Sequence, residues 1–244
     1  MNHVIKSLIA FIIPAIFVVS GCSKDDDATP AKNDANQFMY SDAFGAMVAV
    51  KTVTYTEVMG NLIPTELNTA TAVFVSEAGS SSFTDAGTVK LNSKTLTRNS
   101  NNSYVYDNLL EPLTFNEVRW EVGGKGNVPA VTKTVGRAVP SFNGYGNLPE
   151  SITRADGFSL ALGTQVSQAD STLVSIIGGG KSVMKTVAGN AANVAFSASD
   201  LSGLSSGNGM IQVTPYNIST ETVSGKKFYF INQASYTRSN VSIK

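Results

Sequence analysis

The chain of 244 residues has one cysteine, one histidine and one tryptophan, and only 15% of its residues are charged. His3 and Cys22 both lie near the start, so everything downstream lacks an imidazole and a thiol. Without them a Ser-His-Asp or Cys-His arrangement has no general base. Zinc sites built from imidazole and thiolate have no ligands, and neither do haem or iron–sulfur groups of the usual kind. We therefore expect no metal, no cofactor and no catalysis. No disulfide can staple the chain, so apolar burial must hold the fold. Charge of one sign is also missing, with 18 basic against 18 acidic residues. Beyond Gln37 the net charge is +1 (Lys6, Lys24 and Lys32 drop out, as do Asp25, Asp26, Asp27 and Asp34). That balance gives no electrostatic basis for binding nucleic acid or an anionic surface. A hydrophobic content of 42% with so little charge also excludes a disordered or collagen-like chain.

What is present begins with a leader. Met1 to Lys6 is weakly basic, and Leu8 to Val19 is an unbroken apolar run. Twelve residues of helix rise about 18 Å, short of the roughly 30 Å hydrocarbon core, so the run is too short to span a membrane. Pro14 in its middle also disfavours a stable packed helix. A charged start, a short apolar stretch and small residues at its end make a secretory signal. The closing Val19-Ser20-Gly21-Cys22 resembles the lipobox of bacterial lipoproteins. The resemblance implies residues 1–21 as a signal peptide and cleavage before Cys22. It implies a diacylglyceryl thioether on the Cys22 sulfur, with a further acyl chain on the new amino group. Two or more chains anchor stably where one does not. Ser23-Lys24-Asp25-Asp26-Asp27 is similar to the sorting and surface-export signal of Bacteroidota-type lipoproteins, which implies an outer-membrane anchor with the protein at the cell surface, periplasm-facing attachment being the alternative. As plain chemistry the same run is a solvated stretch that keeps the chain extended. Residues 22–37 read as a lipidated tether, about 50 Å long fully extended and about 20 Å root-mean-square as a coil.

From residue 38 onward the pattern is β throughout. Val118, Trp120 and Val122 alternate with Arg119 and Glu121, and Phe158, Leu160 and Leu162 alternate with smaller residues. Val89 with Leu91, Tyr104 with Tyr106, Val194 with Phe196, and Phe228 with Phe230 give shorter versions. Leu173 to Ile177 reads as a strand covered on both faces. Between Met47 and Val58 the apolar phase changes parity, and a β-bulge near Lys51 or Thr52 would restore it. Asp156-Gly157, Gly178-Gly179-Gly180, Gly189-Asn190, Gly207-Asn208-Gly209 and Ser224-Gly225 read as turns. Ser199 is placed to cap the only helical turn, Ser199 to Leu204. A stretch rich in glycine and proline, from Gly123 to Pro149, has little strand character. The expected fold is all-β, with two immunoglobulin-like antiparallel β-sandwich domains over residues 38–140 and 141–244. A single larger sandwich is the alternative. Trp120 is the expected core anchor of the first unit.

Few groups remain for chemistry. Ser175 to Ser182 ends in Gly-Lys-Ser after a strand, as a P-loop does, but position 175 is not glycine and Ser182 to Val187 reads as another strand, so a hairpin turn explains it. Glu117 with Glu121, Asp107 with Glu111, or Glu150 with Asp156 could act as a glycosidase pair, though nothing in their spacing selects one. Asp170-Ser171-Thr172 resembles the short acceptor for O-linked glycans in Bacteroidota-type exported proteins, and a strand-initiating turn explains it equally well. Phe142 and Tyr145, set among glycines and amides, are the residues that would hold a sugar ring or peptide, or else plug the groove between domains. The functional expectation is a binding, adhesion or assembly role at the cell envelope, toward a glycan or a partner envelope protein. Fimbrial-type assembly would use an edge strand, with Phe228 to Ile231 and Val241 to Ile243 the strands to inspect.

Overall fold

A computed structural model describes residues 41–244. The expected signal peptide, Cys22, the Ser23–Asp27 run and the expected tether lie outside the described residues. In chain order the strands are β1 (Ala43–Val58), β2 (Asn61–Phe74), β3 (Val89–Leu91), β4 (Lys94–Thr95), β5 (Thr97–Arg98), β6 (Tyr104–Tyr106), β7 (Val118–Val122) and β8 (Val131–Val135). They continue with β9 (Ser141–Phe142), β10 (Ser151–Ile152), β11 (Phe158–Ala161), β12 (Val166–Ser167), β13 (Ser171–Gly178), β14 (Lys181–Ala188) and β15 (Asn193–Phe196). A single turn of helix, α1 (Ala198–Leu201), precedes β16 (Gly207–Val223) and β17 (Lys226–Ile243). The all-β expectation holds.

Four long strands organise the rest. A nine-stranded sheet runs β14-β13-β16-β17-β1-β2-β6-β5, with β10 also paired to β17. The front face of β17 alternates Phe228, Phe230, Asn232, Ala234 and Tyr236, and its back face carries Tyr229, Ile231, Gln233 and Ser235. Both sets are buried, so this strand lacks the hydrophobic–polar alternation of a half-exposed one.

Two apolar cores sit side by side on the front. In the first, Met47, Phe74, Phe228 and Phe230 meet Leu91, Trp120 and Val131 from the small sheet β4-β3-β7-β8. Trp120 is fully buried there, and the Tyr104 ring meets Phe74 edge-on at 5.8 Å. In the second, Val53, Val174, Ile176, Val213 and Tyr236 lie under Phe142, Leu160, Val194 and Leu201. Between the cores the sheet turns polar. Asn217 and Asn232 are cross-strand partners, both fully buried. The Asn217 amide donates to Ala138 O and Gln168 O at 2.9 Å, and the Asn232 amide to Arg137 O at 3.0 Å. Through their N–H groups the two buried amides thus fasten the connecting segment across the sheet.

Several expectations need correction. Strands from both 38–140 and 141–244 belong to one sheet, and the cores trade residues across that division: Phe228 and Phe230 lie in the first and Val53 in the second. The pairing is not wholly antiparallel, since β17 runs parallel to β1 and to β10. No bulge interrupts β1 near Lys51, where its register with β2 is unbroken from Gly45 to Val58. Instead β1 buries both faces, Val48 and Val50 behind and Val53 in front. Gly207-Asn208-Gly209 is not a turn but the start of β16, where Gly209 is needed because a Cβ would meet Ile177 O at 2.3 Å. The α1 cap is Ser197, two residues before the expected one, because Asp200 reaches back to the Ser197 N–H at 2.7 Å to close a capping box. β8 lies within the stretch expected to lack strands, its Val131 and Val135 pointing inward.

Candidate functional site

The β1–β2 hairpin continues beyond the sheet that supports it. Pairing between β1 and β17 stops at Val53 with Tyr236, and from Thr54 to Val58 the only ladder is with β2. The Tyr55 ring stacks on Tyr145 at 3.8 Å and braces the base of the hairpin. Met59 and Gly60 form the connection, with φ of 51° and 80°, the pair of positive values that a tight hairpin turn requires. Glycine tolerates that conformation, but a methionine held there costs about 1 kcal/mol, so turn geometry does not account for the side chain. Met59 is 98% exposed, and Val58, Leu62 and Ile63 around it are 44–49% exposed. Of the seven exposed large apolar side chains among the described residues, these four form one group. Glu57 is the single charged residue between Thr54 and Thr65. An apolar tip of this kind favours contact with another apolar surface.

The tip also has a fixed place. The fifteen residue steps of β1 cover about 50 Å, with the tip at one end and Ser41 at the other. The signal missed in the sequence was Gly60-Asn61 lying between two β-prone runs, a hairpin turn flanked by Met59, Leu62 and Ile63.

The residues singled out from sequence are placed elsewhere. Phe142 is 1% exposed and meets Tyr236 edge-on at 5.7 Å, and Tyr145 is 7% exposed against Tyr55. Both rings are taken up inside the second core and offer no face to a sugar or peptide, because the apolar segment around them folds onto the sheet. Burial pushes the Tyr145 phenol above its usual range. The Gly-Lys-Ser stretch is a hairpin turn, with Gly179 and Gly180 at φ 58° and 76° and strand β14 following. No helix N-terminus is available to receive a phosphate there. Thr172 is fully buried, and Ser171 is paired between β14 and β16. The C-terminal strand is no edge: β17 is hydrogen-bonded to β16 on one side and to β1 and β10 on the other.

Three of the carboxylates considered as glycosidase groups, Glu111, Glu121 and Glu150, sit in ion pairs. Glu111 pairs with Lys94 at 2.7 Å, which lowers its pKa, and Glu121 with Arg119 at 2.7 Å. Glu150 meets Arg238 at 2.6 Å, and Glu117 accepts from the Thr134 hydroxyl at 3.3 Å. Asp85 is the densest knot. Lys125 at 2.9 Å holds its carboxyl well below the usual range, helped by the Gly87 N–H, the Tyr104 hydroxyl and Arg98. A glycosidase acid needs the opposite shift. Among the described residues no group of three His, Cys, Asp or Glu could hold a metal, and no helix is long and apolar enough to cross a membrane.

Fold and surface together define a layered β protein with an apolar hairpin at one end. The sequence matches no family model and none of the curated proteins compared with it.

Proposed function

We propose that the chain is a non-catalytic lipoprotein of the cell envelope, anchored to the outer membrane through acylated Cys22. Its β-rich part would be displayed at the cell surface for binding or assembly. The observation that supports this reading is the hairpin tip at Met59, the exposed apolar end of a strand whose other end leads to the tether. In that arrangement the tip points away from the anchor and meets a partner envelope protein through Val58, Met59, Leu62 and Ile63. A protein partner fits the tip better than a glycan, because the tip has apolar side chains but no aromatic ring to stack on a sugar. Fimbrial assembly by donation of the C-terminal strand is the less favoured mode, since β17 would have to leave ladders on both sides. A carboxylate hydrolase is less favoured again, given the cations on the acidic groups.

The test places a photo-reactive residue at Met59 and, separately, at exposed Thr186 on β14. On irradiated intact cells, position 59 is expected to give an adduct of discrete mass that position 186 does not. Equal labelling at both positions, or none at 59, overturns the reading. Cys22→Ser in the same cells is expected to move the protein out of the membrane fraction.

A further inference from the structure

The methionines among the described residues differ widely in exposure. Met47 is 0% exposed inside the first core, Met210 is half-buried on β16, Met184 is 56% exposed on β14, and Met59 is 98% exposed at the hairpin turn. The described residues hold no thiol, and the one tryptophan is fully buried. A thioether is therefore the side chain most open to oxidation, in the order of its exposure. The turn is closed without help from the Met59 sulfur: Val58 pairs with Asn61, and Asn61 Nδ2 donates to Met59 O at 3.4 Å. A Cβ at Gly60 would meet nothing within 4 Å, so the turn stands clear of the rest of the described protein. A chemical change at that sulfur alters the surface of the tip and leaves the ladder intact. The same change at Met47 would put a polar group inside a packed core.

We propose that Met59 is an oxidation site that switches the hairpin tip from apolar to polar, with a peroxide as the oxidant. This rests on the reading of the tip as a partner surface. The Met59 sulfur attacks one oxygen of hydrogen peroxide, and the S–O bond forms as the O–O bond breaks. Sulfur is oxidised by two electrons, and the other oxygen leaves with both protons as water. The sulfoxide sets a strong hydrogen-bond acceptor at the most exposed point of the tip. A partner that receives Val58, Leu62 and Ile63 in an apolar site then has to bury that oxygen unpaired, which weakens the contact. Val58, Leu62 and Ile63 have no side-chain atom that a peroxide oxidises, so one sulfur sets the polarity of the whole group. Methionine sulfoxide reductases reverse the change, which makes it a switch and not only a lesion.

The test uses the full chain in intact cells, with a photo-reactive residue at Leu62 so that Met59 stays native. Irradiation before oxidation is expected to give an adduct of discrete mass. Hydrogen peroxide is then added until peptide mapping shows one added oxygen at Met59, and the adduct is expected to fall at least tenfold. Met59→Leu keeps the tip apolar and removes the sulfur, so its adduct should survive the same treatment. Met184→Leu should stay as sensitive as the parent. Conversion of Met184 ahead of Met59, or an unchanged adduct with Met59 fully oxidised, overturns the switch and leaves the partner surface standing. Sensitivity that persists in Met59→Leu also overturns it, since the oxidised group is then elsewhere. Loss of the native far-UV circular dichroism of the purified chain when Met59 alone is converted overturns it as well, because the effect would lie in the fold. Absence of any adduct at Leu62 before oxidation removes the partner surface itself, and the switch with it.

Discussion

Shortening Ile176 in the second core should be felt by Trp120 in the first. Ile176 is fully buried on β13, and Trp120 is fully buried on β7 and is the chain's one tryptophan. The side chains belong to different cores, and no residue of β7 is paired with the long sheet. Ile176→Ala removes buried carbon and leaves a cavity, at a cost of about 2–5 kcal/mol. With a urea dependence of roughly 2–3 kcal/mol per molar for a chain of this size, the midpoint falls by about 1–2 M. Where that loss is recorded tests the architecture. β16 and β17 run unbroken through both cores, so melting one end removes the floor of the other, and unfolding should be a single transition. Tryptophan fluorescence and far-UV circular dichroism should therefore shift together by the full amount. The reasoning fails if the fluorescence midpoint stays within about 0.2 M of the parent while the far-UV curve splits in two. That result would make the cores independent units that merely share strands.

Acid should act through the capped turn. Lys185 and the Ser197 N–H and hydroxyl hold the Asp200 pKa down to about 2, below the roughly 3.9 of an unfolded aspartate. A lowered folded-state pKa stabilises the fold at pH above about 4, and that contribution is lost as pH falls through about 2. The thermal midpoint of Asp200→Asn should thus lie below that of the parent at pH 6 and meet it near pH 2. An offset that is constant with pH would contradict the ion pair. Gly209→Ala places a Cβ 2.3 Å from Ile177 O in a central strand and should cost about 1–3 kcal/mol. Gly203→Ala, with nothing within 4 Å, should stay within about 0.5 kcal/mol. Differential scanning calorimetry on the two separates close packing from a general intolerance of glycine loss.

The short strands were legible because their alternation has one cause: Val118, Trp120 and Val122 face a core while Arg119 and Glu121 face water. The middle of β17 hid itself for the opposite reason. Asn232, Gln233 and Ser235 interrupt the apolar alternation with polar side chains, yet they are buried in a strand whose two faces are both buried, and Asn232 donates to Arg137 O of the connecting segment. The parity change in β1 had the same origin and imitated a bulge. Nothing local to Ala43–Val53 indicates that it pairs in parallel with Lys227–Tyr236, since that pairing is decided by the whole sheet. Phe142 and Tyr145 were correctly noticed as aromatics in an irregular stretch, but their destination depended on Tyr55 and Tyr236, which no spacing connects to them. The hairpin tip escaped because exposed apolar residues are invisible to an argument that assigns apolar residues to the core.

One strand links these parts mechanically. β1 begins beside Asp42 and ends at the Met59 turn. Along Gly45–Val53 it is hydrogen-bonded on both sides, antiparallel to β2 and parallel to β17. Under the proposed function, a load between an anchor at Cys22 and a partner at the tip would pull along the strand, perpendicular to those hydrogen bonds, so many would have to shear together instead of opening one at a time. Forced unfolding is set by the height of that barrier and not by equilibrium stability. The strand would therefore resist such a load best where β1 is flanked on both sides, and the first place to yield would be the Thr54–Thr65 ribbon beyond Val53, held by β2 pairing and the Tyr55–Tyr145 stack. Bracing by Tyr145 is then a physical reason for that aromatic to be buried beside the hairpin and not offered to a ligand.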